Sequence, residues 1–597
     1  MGRNVFTKSD TFKSEYSCAV IKIGELTPVE GSDFLAKTNV FGVQIVVRKD
    51  HVKEGDTMIY AANETQLNAQ FLSVNNLYEI GERDRNANRE EVEALMKPYE
   101  PIKAEADKKR AEAKQIKSMM ESWKAKSAKL QKQAKKKQKE LEAIEKDSEE
   151  YIKILKVIEE MNMTSDKLIQ KALSKATDYT NLKNEVEALV KSGQHHVDEA
   201  KKLCGFFNKY GRVRCVTLKN TPSFGFLFSP NELQKFDASI TDEEVEAYVG
   251  QEFDTVNGVL FVQVYVPPVR EEKKRRNKTS KADKKIKFFD RMIDGEFYFH
   301  YDTDQLEKNI QSIKPDEIVD ISVKLHGTSS IIGKLHVKQP LNIPFYKKAV
   351  NWFIDTTGLF KSARFIDTEV VYGPVFASRT VVKNKYINKS AGGGYYDKDL
   401  WTEYGEIIYP YLNEGMTVYG EILGYVSDSE KMIQKMYDYG CDKGMNKIMF
   451  YRITATDEEG NKAEFTVPQV LEWTNLLIER MKECGDENWT KIHPIDLLYH
   501  GTLEELYPEL DTENHWHKDV LDKLKADQKR FGMEMDEPLC KNEVPREGLC
   551  IRIGDTRVCY KLKTTSFKLG EAIRMDNGDV DIEMEQGYGA TGDEISK

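Results

Sequence analysis

Lys324 ends an apolar run and has Gly327 three residues on, in Val-Lys-Leu-His-Gly-Thr-Ser (323–329). An amine so placed can attack the phosphorus of a nucleotide once it has lost its proton, and an ordinary solvated lysine at a strand end is the alternative. With a reference pKa of about 10.4, a lysine loses that proton at neutral pH only through neighbouring cations, burial or a metal ion. Such cations occur in Tyr-Lys-Leu-Lys-Thr, where two-residue alternation puts Lys561 and Lys563 on one face of a strand. That pair could depress the pKa of Lys324 and also hold the phosphate it attacks. Glu421 in Val-Tyr-Gly-Glu-Ile and Glu547 in Arg-Glu-Gly-Leu-Cys are carboxylates beside glycines, where a ligand can come close. Arg379, after an apolar strand, suits a phosphate. Phe450 or Tyr451 offers a ring on which a purine can stack.

In order along the chain, these residues resemble the signature of the covalent nucleotidyltransferases, the polynucleotide ligases and RNA capping enzymes. The matching segments are Lys324 to Gly327, Arg379, Gly420-Glu421, Phe450-Tyr451, Glu547-Gly548 and Lys561 to Lys563. Lys-Leu-His-Gly looks like the RNA ligase form, since DNA ligases more often carry Asp in place of His326. The lead-in Phe-Tyr-Phe-His-Tyr-Asp-Thr-Asp-Gln-Leu (297–306) is similar to that of nick-sealing RNA ligases with an N-terminal OB domain. The resemblance implies an ATP-dependent ligase joining RNA 3′-hydroxyl and 5′-phosphate ends through lysyl-AMP, with a nicked duplex or tRNA as candidate substrates. It implies Lys324 as nucleophile, Lys561 and Lys563 on the α-phosphate, and Glu421 on the ribose. Arg379 would meet a phosphate or the ribose, Phe450 or Tyr451 the adenine, and Leu325 and Gly327 would line the nucleotide. Glu547 would bind Mg or Mn. Two positions depart from the family pattern: Val323 where RNA ligases often have Glu, and Ser329 where some have Asn. A DNA ligase, a GTP-dependent capping enzyme and an inactive scaffold that binds RNA ends are the rival readings.

The elements that must position these residues divide the 597-residue chain, which exceeds what one core usually fills. The expected fold is α+β and multidomain. Residues 1–85 and 205–268 read as two parts of an OB-type barrel, with short β-branched runs between Gly, Pro, Asp and Asn turns. Between them, 86–204 is rich in Ala, Glu, Lys and Gln, with Ile116, Met119, Trp123, Leu130, Leu141, Ile144, Leu155 and Ile158 at helical spacings. A coiled-coil hairpin is expected there, turning near Met161-Asn-Met-Thr-Ser-Asp. Residues 269–285 read as a basic linker, 286–575 as the nucleotidyltransferase domain, and 576–597 as an acidic tail.

Net charge is −10, yet 101–140 holds 14 Lys or Arg against 5 Asp or Glu. The coiled coil is therefore a candidate surface for RNA or a protein partner, beside the plain reading of a solvated face. No apolar run reaches the roughly 20 residues of a membrane span, and the expected location is the cytoplasm. The eight cysteines include no Cys-x-x-Cys and are expected to be reduced.

Overall fold

The computed structural model describes residues 4–576 apart from 143–145, 147, 267–291, 294, 302, 359–360, 380, 384–395 and 397. The basic linker therefore lies wholly outside the described residues, as does the acidic tail beyond Asp576. The chain is a mixed α/β protein, and no helix among the described residues is long and apolar enough to cross a membrane.

Near the N-terminus, the strand Cys18–Lys22 pairs antiparallel with Thr57–Ala61 on one side and Glu252–Phe253 on the other. Thr57–Ala61 also pairs with Phe226–Phe228, and Thr65–Leu67 pairs with Val262–Val264. These ladders join residues on either side of a long helical excursion. Alternation puts Val20, Ile59, Phe228 and Phe253 in a core with Phe71 and Phe207. Ala19, Ile21, Met58 and Tyr60 face a second core, with Ile45 and Val47 from the hairpin Leu35–Val40 and Val43–Arg48.

The excursion is a pair of helices, Tyr99–Leu141 and Glu149–Lys202. At 1.5 Å per residue they reach about 65 and 80 Å. They run antiparallel: Lys109 Nζ meets Glu185 at 2.6 Å, and Ser127 Oγ meets Ser165 Oγ at 2.8 Å. Buried residues recur at seven-residue spacing, as Ala106, Ala113, Ser127, Ala134 and Leu141 on one helix and Ile158, Ser165, Ala172, Val186, Gly193 and Ala200 on the other. Most are small, so the two backbones come close. At Gly193 a Cβ would lie 2.5 Å from the Tyr99 ring. No turn occurs near Met161. The second helix runs straight through it, and the chain reverses before Ser148, whose hydroxyl caps that helix by accepting from the Tyr151 N–H at 3.1 Å. Ser165, in the segment read as a turn and cap, instead makes the buried contact with Ser127.

The second half is built on two sheets. In the smaller, Ile318–Lys324 lies between Leu497–Thr502 and Gly548–Ile553, which pairs in turn with Cys559–Lys563. In the larger, Thr328–Pro340 lies between Thr368–Ser378 and Met416–Gly424, which pairs with Asn446–Thr456. The chain crosses from one sheet to the other within Leu325-His-Gly, between Lys324 and Thr328. Val319, Ile321 and Val323 are buried in apolar clusters. Between them, the fully buried Asp320 accepts a hydrogen bond from the Val467 N–H at 3.0 Å and meets His500 Nδ1 at 2.7 Å. That carboxylate ties the smaller sheet to the first turn of the helix Val467–Glu483, which packs on the larger one.

Candidate active site

Strand register builds the centre of the site. Lys324 lies opposite Gly548, and Gly548 opposite Lys563, so the three occupy one row across adjacent strands. The next row on that face is Ser322, Cys550 and Lys561. Both strand-end lysines and Lys561 therefore point toward one region. Glu547, just before the row, places Oε1 2.9 Å from Lys324 Nζ and 3.6 Å from Lys563 Nζ. Gly548 takes φ of +148°, and a Cβ there would strike the Leu562 carbonyl oxygen at 2.0 Å, so the Glu-Gly pair needs its glycine.

The crossover is fixed on every side. The Gly327 N–H donates to Glu421 Oε1 at 2.9 Å, and Gln434 Nε2 donates to the Gly327 carbonyl at 2.8 Å. The His326 N–H donates to the Tyr439 hydroxyl at 2.7 Å. A Cβ on Gly327 would lie 2.4 Å from the Ile422 carbonyl oxygen, which is the steric reason for glycine at the end of Lys-x-x-Gly. Leu325 is buried in the apolar cluster beneath. The His326 ring sits edge-on to Tyr437 and Phe567, and burial, then the charge of Arg574, press its pKa down to about 3. The imidazole is therefore neutral across the physiological range.

Two adjoining cavities open here. They share Thr303, Lys324, Leu325, Arg379 and Glu421. One is charged and holds His326, Gln434, Glu547, Lys561, Lys563 and Glu571. The other, about 820 Å³ with its open mouth, is walled by His300, Tyr301, Tyr451, Val467, Ile495 and the Cys550 and Cys559 pair. Tyr451 presents its ring there, with His300 stacked at 5.4 Å and its hydroxyl 3.0 Å from Ser329 Oγ. Phe450 does not reach either cavity. One residue earlier on the strand, it points to the opposite face and is fully buried against Trp473. Of the two aromatics, only Tyr451 can meet a ligand.

The charges differ from the simple expectation of a lysine depressed by its neighbours. Burial lowers the pKa of Lys324 and so does Lys563, but Glu547 and then Cys550 outweigh them, and the net shift is upward. Lys561 is lowered, by burial first, with Glu15 opposing. Three groups were not singled out from sequence. Glu15, just before the strand Cys18–Lys22, ion-pairs with Lys561 at 2.5 Å. Glu571, on the helix Thr565–Asp576, lies 3.2 Å from Lys563. His300 belongs to the aromatic lead-in, whose composition is its one sequence signal.

A divalent cation would find one suited ligand. Glu547 Oε2 is buried without a hydrogen-bond partner among the described residues, and no set of three or more His, Cys, Asp or Glu surrounds a common point there. A hard cation could therefore be held by this carboxylate only together with ligand oxygens and water, as suits Mg on a phosphate. The charged cavity can thus bind a polyanion beside an amine, and its neighbour can accept a flat apolar group.

No family model matches the chain, and no curated protein matches it by sequence. Among solved structures it is similar to Naegleria gruberi RNA ligase. An apo mutant of that enzyme gives a TM-score of 0.42 at 11% identity over 94% of this chain and 99% of that one. The enzyme with PPi gives 0.41 at 11% over 95% and 100%, and a mutant with AMP and Mn gives 0.42 at 11% over 92% and 97%.

Proposed function

We propose that this chain is an ATP-dependent RNA ligase that joins 3′-hydroxyl and 5′-phosphate ends through a lysyl-AMP intermediate. The single observation that carries the reading is the row Lys324–Gly548–Lys563, with Glu547 between the two amines and the Tyr451 cavity adjoining. In this reading residues 286–575 are the nucleotidyltransferase domain, and 1–85 with 205–268 an OB-type domain interrupted by the coiled-coil insertion 86–204.

ATP fits with adenine against Tyr451, the ribose near Glu421 and the phosphates among Lys561, Lys563 and Arg379. The Lys324 amine attacks the α-phosphorus; a P–N bond forms, the bond to the bridging oxygen breaks, and pyrophosphate leaves. Lys561 and Lys563 stabilise the charge that grows on the α-phosphate oxygens. The amine must first shed the proton that Glu547 helps it keep. Mg or Mn shared by Glu547 and the phosphates would neutralise phosphate charge and draw the carboxylate off the amine. AMP then passes to the RNA 5′-phosphate, and the 3′-hydroxyl displaces it to form the phosphodiester.

Incubation with α-phosphate-labelled ATP and Mg or Mn should label the protein, and added nicked RNA should discharge the label as joined product. Labelled protein that discharges onto nicked DNA but not nicked RNA would replace this reading with a DNA ligase. Labelling by GTP instead of ATP would indicate a capping enzyme, and no labelling by either a scaffold for RNA ends.

Two further results are expected of the nucleotide site. Tyr451→Ala should raise KM for ATP about tenfold, since a base stacked on an aromatic ring gains about 1–3 kcal/mol. Phe450→Ala should instead destabilise the fold by about 3–5 kcal/mol as a core truncation. A steady-state ATP titration with a denaturant melt separates them. Glu15→Gln should lower KM for ATP, because the Lys561 ammonium that meets a phosphate is paired with Glu15 at 2.5 Å. The gain should be on the order of tenfold, as displacing a charged contact of about 1.5 kcal/mol permits.

A further inference from the structure

The distal half of the helical hairpin carries a charge pattern that its own packing does not use. From Lys124 to Lys139 the first helix has eight lysines and no Asp or Glu. The stretch of the second helix beside it, 153–168, adds three lysines and three acidic residues, and so neutralises none of that excess. None of the eight has an ion-pair partner among the described residues, although lysines nearer the base of the hairpin, such as Lys109 and Lys117, do. This stretch is strongly cationic within a chain whose net charge is −10.

The lysines are also arranged. The seam against the second helix is made by Ser127, Ala134 and Leu141, with Ile158 and Ser165 opposite. At roughly 100° per residue, Lys124, Lys129, Lys132, Lys135, Lys136 and Lys139 fall within an arc of about 140°, centred about 150° from that seam. All six are exposed. They line about 22 Å of helix, and a nucleic-acid duplex presents about one phosphate charge per 1.7 Å over such a length. A protein partner would be expected to meet apolar anchors as well as charge. Within this arc the residues between the lysines are Ala125 and Ala128, with no aromatic or large aliphatic among them.

We propose that this face is an RNA-backbone contact, which holds the body of the substrate by its phosphates at a distance from the ends being joined. The proposal rests on the reading that the substrate is RNA and extends it: the enzyme takes RNAs long enough to lie along the arm, irrespective of their sequence. Phosphate contacts of this kind position a nucleic acid without reading bases. The arm's tight seam of small residues gives a stiff support for such a contact, since its two backbones pack closely over its length.

The test uses the full chain with Lys124, Lys129, Lys132, Lys135, Lys136 and Lys139 all replaced by Gln. Glutamine is as good a helix former as lysine, and circular dichroism verifies that the hairpin remains. Binding of a long nicked RNA duplex is measured against salt concentration, with labelling by ATP measured in parallel. Six phosphate contacts at about 0.7–0.9 each should lower the slope of log K against log salt by about 4–5, and weaken binding at low salt on the order of a hundredfold. An unchanged slope with helical content intact overturns the proposal, whether the face is simply solvated or serves a protein. The two readings fail separately. A wild type that is never labelled by ATP sinks the ligase assignment, while the salt slopes still decide the arm.

Discussion

Lys324→Ala should take up no label from α-phosphate-labelled ATP under conditions where the parent chain is labelled, a loss to background. Three lysines border the charged cavity, so the result is not automatic. Lys561 is paired with Glu15, and Lys563 lies between Glu547 and Glu571. Lys324 alone sits at the junction of both cavities with a backbone fixed by Glu421, Gln434 and Tyr439 at the following residues. Lys324→Arg should be equally blank, because a guanidinium keeps its proton at any working pH. A pH series adds a second readout. Burial lowers the Lys324 pKa most, but Glu547, Cys550 and Glu421 together outweigh burial and Lys563, and the net shift is upward. Below that pKa the free-amine fraction grows about tenfold per pH unit, so labelling should climb steadily from pH 6 to 9. Residual label in Lys324→Ala, mapped to Lys561 or Lys563, would move the nucleophile two strands across the sheet.

The row that makes this site was readable because strand alternation is a short-range rule. Lys561 and Lys563 share a face for reasons local to five residues, and Lys324 to Gly327 is fixed by backbone sterics that only glycine satisfies. The helix Val467–Glu483 is likewise set by local rules, with Thr466 and Gln469 forming a capping box and Pro468 in its first turn. What escaped depends on contacts between distant segments. Nothing near Glu15 marks it as the partner of a residue more than 500 positions later. The choice between Phe450 and Tyr451 needed to know which face of the strand met the core. The hairpin shows a different failure. Large apolar residues such as Trp123 and Leu130 drew attention to helical periodicity, whereas the buried seam, apart from Leu141, Ile158 and Val186, is Ala, Ser and Gly at seven-residue spacing. Small residues are weak signals of hydrophobicity but strong ones of close approach. Ser165, read as part of a turn, is one of them.

Glu464→Ala should strongly destabilise the second half of the chain. Glu464 accepts from Arg452 Nε at 2.9 Å and from Arg552 Nη2 at 2.8 Å, and a second contact joins it to Arg452 Nη2. All three side chains are less than a tenth exposed. Arg452 and Glu464 belong to the larger sheet and Arg552 to the smaller, so one carboxylate holds the sheets together along the wall of the Tyr451 cavity. Each guanidinium already has an Nη1 without a hydrogen-bond partner among the described residues. Arg452 lies over Tyr301 and Tyr419 at 4.4 and 4.3 Å, contacts that cannot replace an anion. Removing the carboxylate leaves two buried cations facing each other. Breaking such a pair costs about 3–5 kcal/mol, to be read as a lower denaturant midpoint and a raised KM for ATP as the cavity wall loosens. Replacing Arg452, Glu464 and Arg552 together by Met, Leu and Met should recover much of the stability, since no charge is then left unpaired. KM should not recover with it, because the ring contacts that place Tyr301 beside the cavity are gone.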